Sequence, residues 1–90
     1  MANQMEIEFN TETWQEGDMY IAYIPQLDLS SCGKSLDEAK KNIKEALSAF
    51  IEEAQNMGTL QEILEEAGFK QDKKWKAPEI VSFEKMKLAF

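Results

Sequence analysis

The feature that most constrains the fold of this chain is a capped amphipathic helix near its middle. Residues 35–38 (Ser-Leu-Asp-Glu) match a capping box, in which we expect the Ser35 hydroxyl to accept from the Glu38 N–H and the Glu38 carboxylate to accept from the Ser35 N–H. Steps of three and four then place apolar side chains on one face: Leu36, Ala39, Ile43, Ala46, Leu47, Phe50, Ile51 and Ala54. A helix with one apolar face has to cover another element, so we expect it to pack on a sheet.

Three segments before this helix have the patterns of β-strands. Apolar and polar residues alternate over residues 5–9, which predicts a half-buried strand that extends at most to Trp14. Residues 19–24 are apolar on both faces, as is typical of a central strand. A weaker alternation runs over residues 27–33. Because the connections between these segments are short, we expect an antiparallel meander.

The sequence after the helix predicts a second helix and a last strand. Asn-Met-Gly at residues 56–58 ends the long helix, and Thr-Leu-Gln-Glu at residues 59–62 is a second capping box. The short helix that it opens is expected to end at Gly68, and a final strand is expected within residues 80–90. The prediction is one α+β domain over residues 1–90, ordered β-β-β-α-α-β, with the long helix on one face of a four-stranded sheet.

Charge is unevenly distributed along the chain. Residues 1–66 hold fourteen acids and four lysines, a net charge of −10, whereas residues 67–90 hold three acids and six lysines, a net charge of +3. There is no arginine, the residue that is favoured for bidentate contacts to phosphate and guanine. The chain is therefore a poor candidate for binding nucleic acid and a better one for binding a basic protein.

Nothing in the sequence predicts catalysis, so we expect no enzyme activity, no metal and no cofactor. Cys32, Ser30 and Ser31 have no histidine to act as a base, and Lys44 lies on the polar face of the helix. The acids that could hold metal ions are expected to be solvated or to cap elements instead of converging on one point: Glu6, Glu8, Asp18, Asp28 and Glu38.

An ordered set of residues between positions 19 and 51 resembles the HicB family of antitoxins. The usual pattern in that family is Tyr-x-Ala-x-x-Pro-x-Leu, then Ser-x-Gly-x-Thr-x-x-Glu-Ala, then Asn-x-x-Glu-Ala. Ser35 stands here in the place of the threonine. The positions that carry the resemblance are Tyr20, Ala22, Pro25, Leu27, Ser31, Gly33, Ser35, Glu38, Ala39, Asn42 and Ala46.

The resemblance implies a partial ribonuclease H-like fold and a partner, a small basic HicA-like toxin that cleaves RNA. We expect three acids near the strand turns, Glu16, Asp18 and Asp28, to contact this toxin. Members that repress their own operon usually carry a DNA-binding domain after this one. Only a short basic segment follows here, as in stand-alone members, so direct DNA binding is not expected without an added domain.

Several alternatives stay open at this point. The chain could be a homodimer, or a higher homo-oligomer, that binds something else and has no toxin partner. Trp14 is expected in the core or at its rim, with a partner interface as the alternative, and Trp75 is expected to anchor the connector. Asn42 is expected to bond to strand or loop backbone, or else to face water. Lys70, Lys73, Lys74 and Lys76 are interpreted as a solvated connector, with a weak phosphate contact as the alternative.

The sequence also predicts a cellular location. Cys32 is the only cysteine, so no internal disulfide forms, which fits a reducing compartment. The first residues do not have the pattern of a signal peptide, and no apolar run approaches the ~18 residues of a membrane helix. We therefore expect a cytoplasmic protein.

Overall fold

The computed structural model describes residues 6–71, 75–82 and 84–89. The elements in chain order are β1 (Ile7–Glu8), β2 (Glu12–Glu16), β3 (Met19–Ile24), β4 (Leu29–Gly33), α1 (Leu36–Met57), α2 (Leu60–Glu66), β5 (Lys70–Gln71) and β6 (Trp75–Lys76). A 3-10 turn over Pro25–Leu27 joins β3 to β4. The expected α+β class is confirmed, including the meander, the long helix, the short helix and a strand after them.

The meander β2-β3-β4 is antiparallel with β3 in the centre. Ala22 and Ile24 of β3 are buried against Ala39 and Ile43 of α1, so this face of the sheet is covered by the helix. Side chains alternate between the two faces of a strand, which leaves Ile21 and its cross-strand neighbours on the opposite side. We call this side the outer face, formed by Glu12, Trp14, Glu16, Met19, Ile21, Tyr23, Ser30 and Cys32.

The expectation of one four-stranded sheet is wrong, because the first predicted strand is divided between two sheets. β1 pairs in parallel with β6, whereas β2 pairs with β3, and residues 9–11 between them belong to neither strand. Phe9 packs against both hydrophobic clusters of the protein and meets the Phe69 ring edge-on at 5.0 Å. This break lets one side chain join the two cores. Met5, the first residue of the predicted strand, lies outside the described residues.

The last strand of the described chain lies at Trp75–Lys76, at the centre of the sheet β1-β6-β5, and not in residues 80–82 or 84–89. Trp75 is buried with Leu64 and Phe69, so it anchors the connector as expected. Residues 79–82 and 84–89 are exposed and belong to no strand. Burial of the Trp75 indole therefore favours strand pairing at residues 75–76 over pairing in the exposed residues that follow.

The first helix cap forms largely as expected, and the second does not. The Ser35 hydroxyl accepts from the Glu38 N–H at 3.1 Å, but the Glu38 carboxylate accepts from the Lys34 N–H, at 2.8 Å, and not from that of Ser35. At the second box the Thr59 side chain makes no cap hydrogen bond and lies 3.5 Å from the Ala54 carbonyl. The expected glycine stop of α1 is confirmed, with Gly58 at a φ of 71°.

Candidate interaction site

Small residues at the joint between helix and sheet let α1 lie close to β3 and β4. Ala22 of β3 and Ala39 of α1 are both fully buried where the helix packs on the sheet. A Cβ on Gly33 would lie 2.7 Å from the Ala39 nitrogen and 2.8 Å from the Glu38 Cβ. Gly33 is thus required for a close approach, and not for a positive φ in a turn.

Asn42 attaches the same helix to the sheet through a hydrogen bond. Its side-chain amide donates to the Cys32 carbonyl at 2.8 Å, as the expectation of a bond to strand backbone required. The cap of Ser35 and Glu38 fixes the helix start about two turns earlier. Ala46 is half-buried further along the helix.

The remaining positions of the pattern shape the turn before β4 and the sheet below the helix. The Pro25 carbonyl accepts from the Asp28 N–H at 3.2 Å and closes the 3-10 turn. Tyr20 and Leu27 are half-buried against the helix-side cluster, and Ser31 lies opposite Ala22 in the register. The patterned residues therefore build the joint between helix and sheet.

An aromatic pair lies on the outer face of the sheet. The rings of Trp14 and Tyr23 pack edge to face, with centroids 6.1 Å apart and an angle of 72° between their planes. Trp14 is 39% exposed, so it lies outside the core. Ile21, opposite Trp14 in the register, adds apolar surface beside the pair.

Two of the predicted contact acids hold this aromatic pair in place. The Trp14 indole N–H donates to a Glu16 carboxylate oxygen at 2.9 Å. The Tyr23 hydroxyl donates to an Asp28 carboxylate oxygen at 2.8 Å. Each ring thus has its polar end bonded to an acid, and the exposed Trp14 and half-buried Tyr23 keep part of their apolar surface accessible, as is common for aromatic residues at protein interfaces.

Asp28 reaches Tyr23 from an unusual backbone conformation. Its φ of 50° and ψ of 43° place it in the left-handed region, which aspartate tolerates better than most residues. The pKa of Tyr23 is raised above 10.0 by the hydrogen bond to Asp28, then by burial, then by the negative charges of Asp28 and Glu12. The phenol therefore remains a protonated donor through neutral pH.

The third predicted acid, Asp18, lies apart from the pair in the exposed turn between β2 and β3. Gly17 precedes it with a φ of 58°, which allows the two-residue turn. Sequence reasoning did not find Tyr23 or Glu12 as members of the site. Glu12 and Tyr23 lie opposite each other in the paired strands β2 and β3. Only knowledge of that register would have brought them into the site.

The side chains considered for catalysis and metal binding do not form a site in the described part of the chain. Cys32 and Ser30 are exposed on the outer face, and Lys44 is exposed on α1. Glu38 caps a helix and Asp28 binds Tyr23. Across residues 6–71, 75–82 and 84–89, no three acids, cysteines or histidines lie close enough to hold a metal ion.

A cleft of about 760 Å³ separates the end of β1 from the chain that follows β6. Glu8 and Glu79 line it together with Lys70 and Lys76, and the Asn10 amide donates to the Pro78 carbonyl at 3.1 Å across it. The mixed charges of its walls match no single ligand class. Lys73 and Lys74, the other members of the predicted basic cluster, lie outside the described residues.

The chain was compared with family models, curated proteins and solved structures, and none of them matches it. Neither helix of the described structure combines the length and the apolar character needed to cross a membrane.

Proposed function

We propose that this chain is an antitoxin-like binding protein that neutralises a small basic RNA-cleaving toxin of a type II toxin–antitoxin pair, and that it performs no catalysis. The proposal is supported by the resemblance of residues 19–51 to the HicB family and by the acidic charge of residues 1–66. The observation that carries it is the pair of exposed Trp14 and half-buried Tyr23 on the outer face, bonded to Glu16 and Asp28. Its proposed location is the cytoplasm, where an exposed single cysteine stays reduced.

The outer face has the two features that a basic partner requires. Acidic side chains attract such a partner and set its orientation, which raises the association rate. Aromatic side chains supply the apolar area that dominates the affinity of interface centres. Because Glu16 and Asp28 already fix the two rings, little side-chain entropy is lost on binding.

The test is co-expression with the product of the adjacent gene, which the proposal expects to be a small basic polypeptide, read out as growth and as co-purification. We expect wild type to rescue growth, and Trp14→Ala to weaken the complex by about tenfold or more, as for an aromatic residue in an interface centre. Met57→Ala is the matched control, because Met57 is exposed at the far end of α1. Absence of a small basic protein from a pull-down of the native lysate would refute the proposal.

A second candidate is a homodimeric regulatory module with no toxin. The observation that favours it is the set of exposed apolar side chains after β6, which have no role in the proposed toxin contact on the outer face. The growth assay separates the two, since a module of this kind rescues no cells from a toxic neighbour.

A further inference from the structure

The chain after Pro78 exposes apolar side chains along its whole described length. We call residues 79–82 and 84–89 the exposed segment. Ile80 is 49% exposed, Val81 94%, Met86 87% and Leu88 72%. Scattered apolar residues are normal on a surface, but several that are close together in one exposed segment are typical of a contact with another molecule.

The protein also has more surface than a folded monomer of its mass. Its accessible area is 7426 Å², whereas a chain of 10.3 kDa is expected to expose about 5,400 Å². Its radius of gyration is 15.3 Å, against about 12 Å for a compact chain of this length. The exposed segment contributes to this surplus of about 2,000 Å², and for comparison each partner buries ~800 Å² in a standard interface. A second molecule therefore has ample surface to cover.

Strand β2 offers the edge on which such a segment can dock. In the described structure it pairs with β3 and with no other strand, and four of its five residues are exposed. An open edge presents N–H and C=O groups that pair readily with a strand from another chain. Glu12, Trp14 and Glu16 of this edge point to the outer face.

We propose that residues 85–89 of one copy pair with β2 of a second copy, and that the exchange is reciprocal. With its lysines on the outer face, Lys87 lies opposite Trp14 and Lys85 opposite Glu12 or Glu16, whichever way the strand runs. Met86 and Leu88 then lie on the other face. The reciprocal contact closes a twofold dimer.

Charge favours a second copy over the chain's own β2. Ile7 pairs with Trp75 and Glu8 with Lys76, and the Asn10–Pro78 hydrogen bond keeps the same offset. These pairs all join residues that are 68 positions apart. If the exposed segment followed its own β2 with the same offset, Glu84 would lie beside Glu16, and Lys85 and Lys87 would lie beyond the end of β2. Like charges on directly opposed residues destabilise a strand pair. The second copy is free to choose the complementary register.

The experiment is sedimentation equilibrium on the full chain and on two charge-reversed variants. Wild type is expected to be a dimer, and both Glu12→Lys/Glu16→Lys and Lys85→Glu/Lys87→Glu are expected to weaken it by about tenfold or more. Within each variant, the β2 edge and the segment of residues 85–89 carry charges of the same sign and repel each other. An equimolar mixture has opposite signs in both contacts, so the dimer is expected to return as a heterodimer that salt weakens.

Controls use the same changes in charge at exposed helix positions. Glu65→Lys/Glu66→Lys and Lys41→Glu/Lys44→Glu are expected to keep the dimer, and circular dichroism checks the folding of every variant. A wild-type monomer at high micromolar concentration would overturn the inference, and so would a mixture that stays monomeric. The inference does not depend on the toxin, since dimerisation and growth rescue are measured separately.

Discussion

The Tyr23 hydroxyl donates a 2.8 Å hydrogen bond to the carboxylate of Asp28, five residues later, across the turn between β3 and β4. Asp28 makes this bond from a left-handed backbone conformation. The turn therefore sets the position of an acid, and the acid sets the position of a ring on the outer face. A carboxylate predicted from charge alone is thus part of a fixed aromatic cluster.

Replacing Asp28 by asparagine is expected to lower the pKa of Tyr23 toward 10.0, because the charged acceptor that favours the protonated phenol is lost. The phenol has a raised pKa in the folded state, so its stabilising contribution is complete below pH 10 and disappears as the pH rises through the folded pKa. Ultraviolet absorbance of tyrosinate measures both variants. Tyr23→Phe identifies the transition that belongs to this residue, and an unchanged transition in Asp28→Asn would contradict the assignment.

Ser35→Ala is expected to lower the free energy of unfolding by about 1 kcal/mol, because α1 loses its side-chain cap. Thr59→Ala is expected to change it by less than about 0.5 kcal/mol, since Thr59 does not cap α2. Urea denaturation measures both. The two boxes look alike in sequence, so an equal loss in both variants would show that the cap of α2 forms in solution.

Gly33→Ala is expected to destabilise the protein by about 2–3 kcal/mol, because its Cβ would overlap the start of α1. Gly17→Ala is the matched control. It has a positive φ and open space around it, so it carries only the cost of the left-handed conformation, about 1 kcal/mol. Thermal unfolding followed by circular dichroism ranks the two. A smaller loss for Gly33→Ala would mean that α1 can move away from β4 at little cost.

Asn42→Ala is expected to cost about 1 kcal/mol of unfolding free energy, since the Cys32 carbonyl loses its donor. Asn42→Asp is expected to cost more, because a carboxylate then faces a carbonyl oxygen. Asn56→Ala, at an exposed position of the same helix, serves as the reference. Chemical denaturation measures the losses, and equal losses of unfolding free energy in Asn42→Ala and Asn56→Ala would show that this hydrogen bond does not stabilise the joint.

The sequence identified the parts of the fold that depend on neighbours along the chain. The limits of α1 followed from Ser35 at one end and Gly58 at the other, both local features. The cap at Thr59 was predicted by the same rule and is absent, because Thr59 has a helical backbone (φ −109°, ψ −1°) and not the extended one of a capping residue, and its hydroxyl donates to the Ala54 carbonyl. A local rule thus fails where the end of the preceding helix sets the backbone of the capping residue.

The candidate site was found only in part. Glu16 and Asp28 were expected from their charge and exposure, and both lie at the aromatic pair. Trp14 was expected in the core or at its rim, with a partner interface as the alternative, and Tyr23 was not singled out. Their contact depends on the register of β2 against β3, which no spacing along the chain reveals.

The sequence by itself determined the α+β class, the antiparallel meander and the start and end of α1, because capping, periodicity and short connections act over a few residues. Tertiary structure alone decided that the first strand divides at residues 9–11, that Trp75 pairs and residues 84–89 do not, and that two acids meet two rings. Those outcomes are set by competition for burial between segments far apart in the chain. Local patterns record which segments are apolar, but not which of them reaches the core.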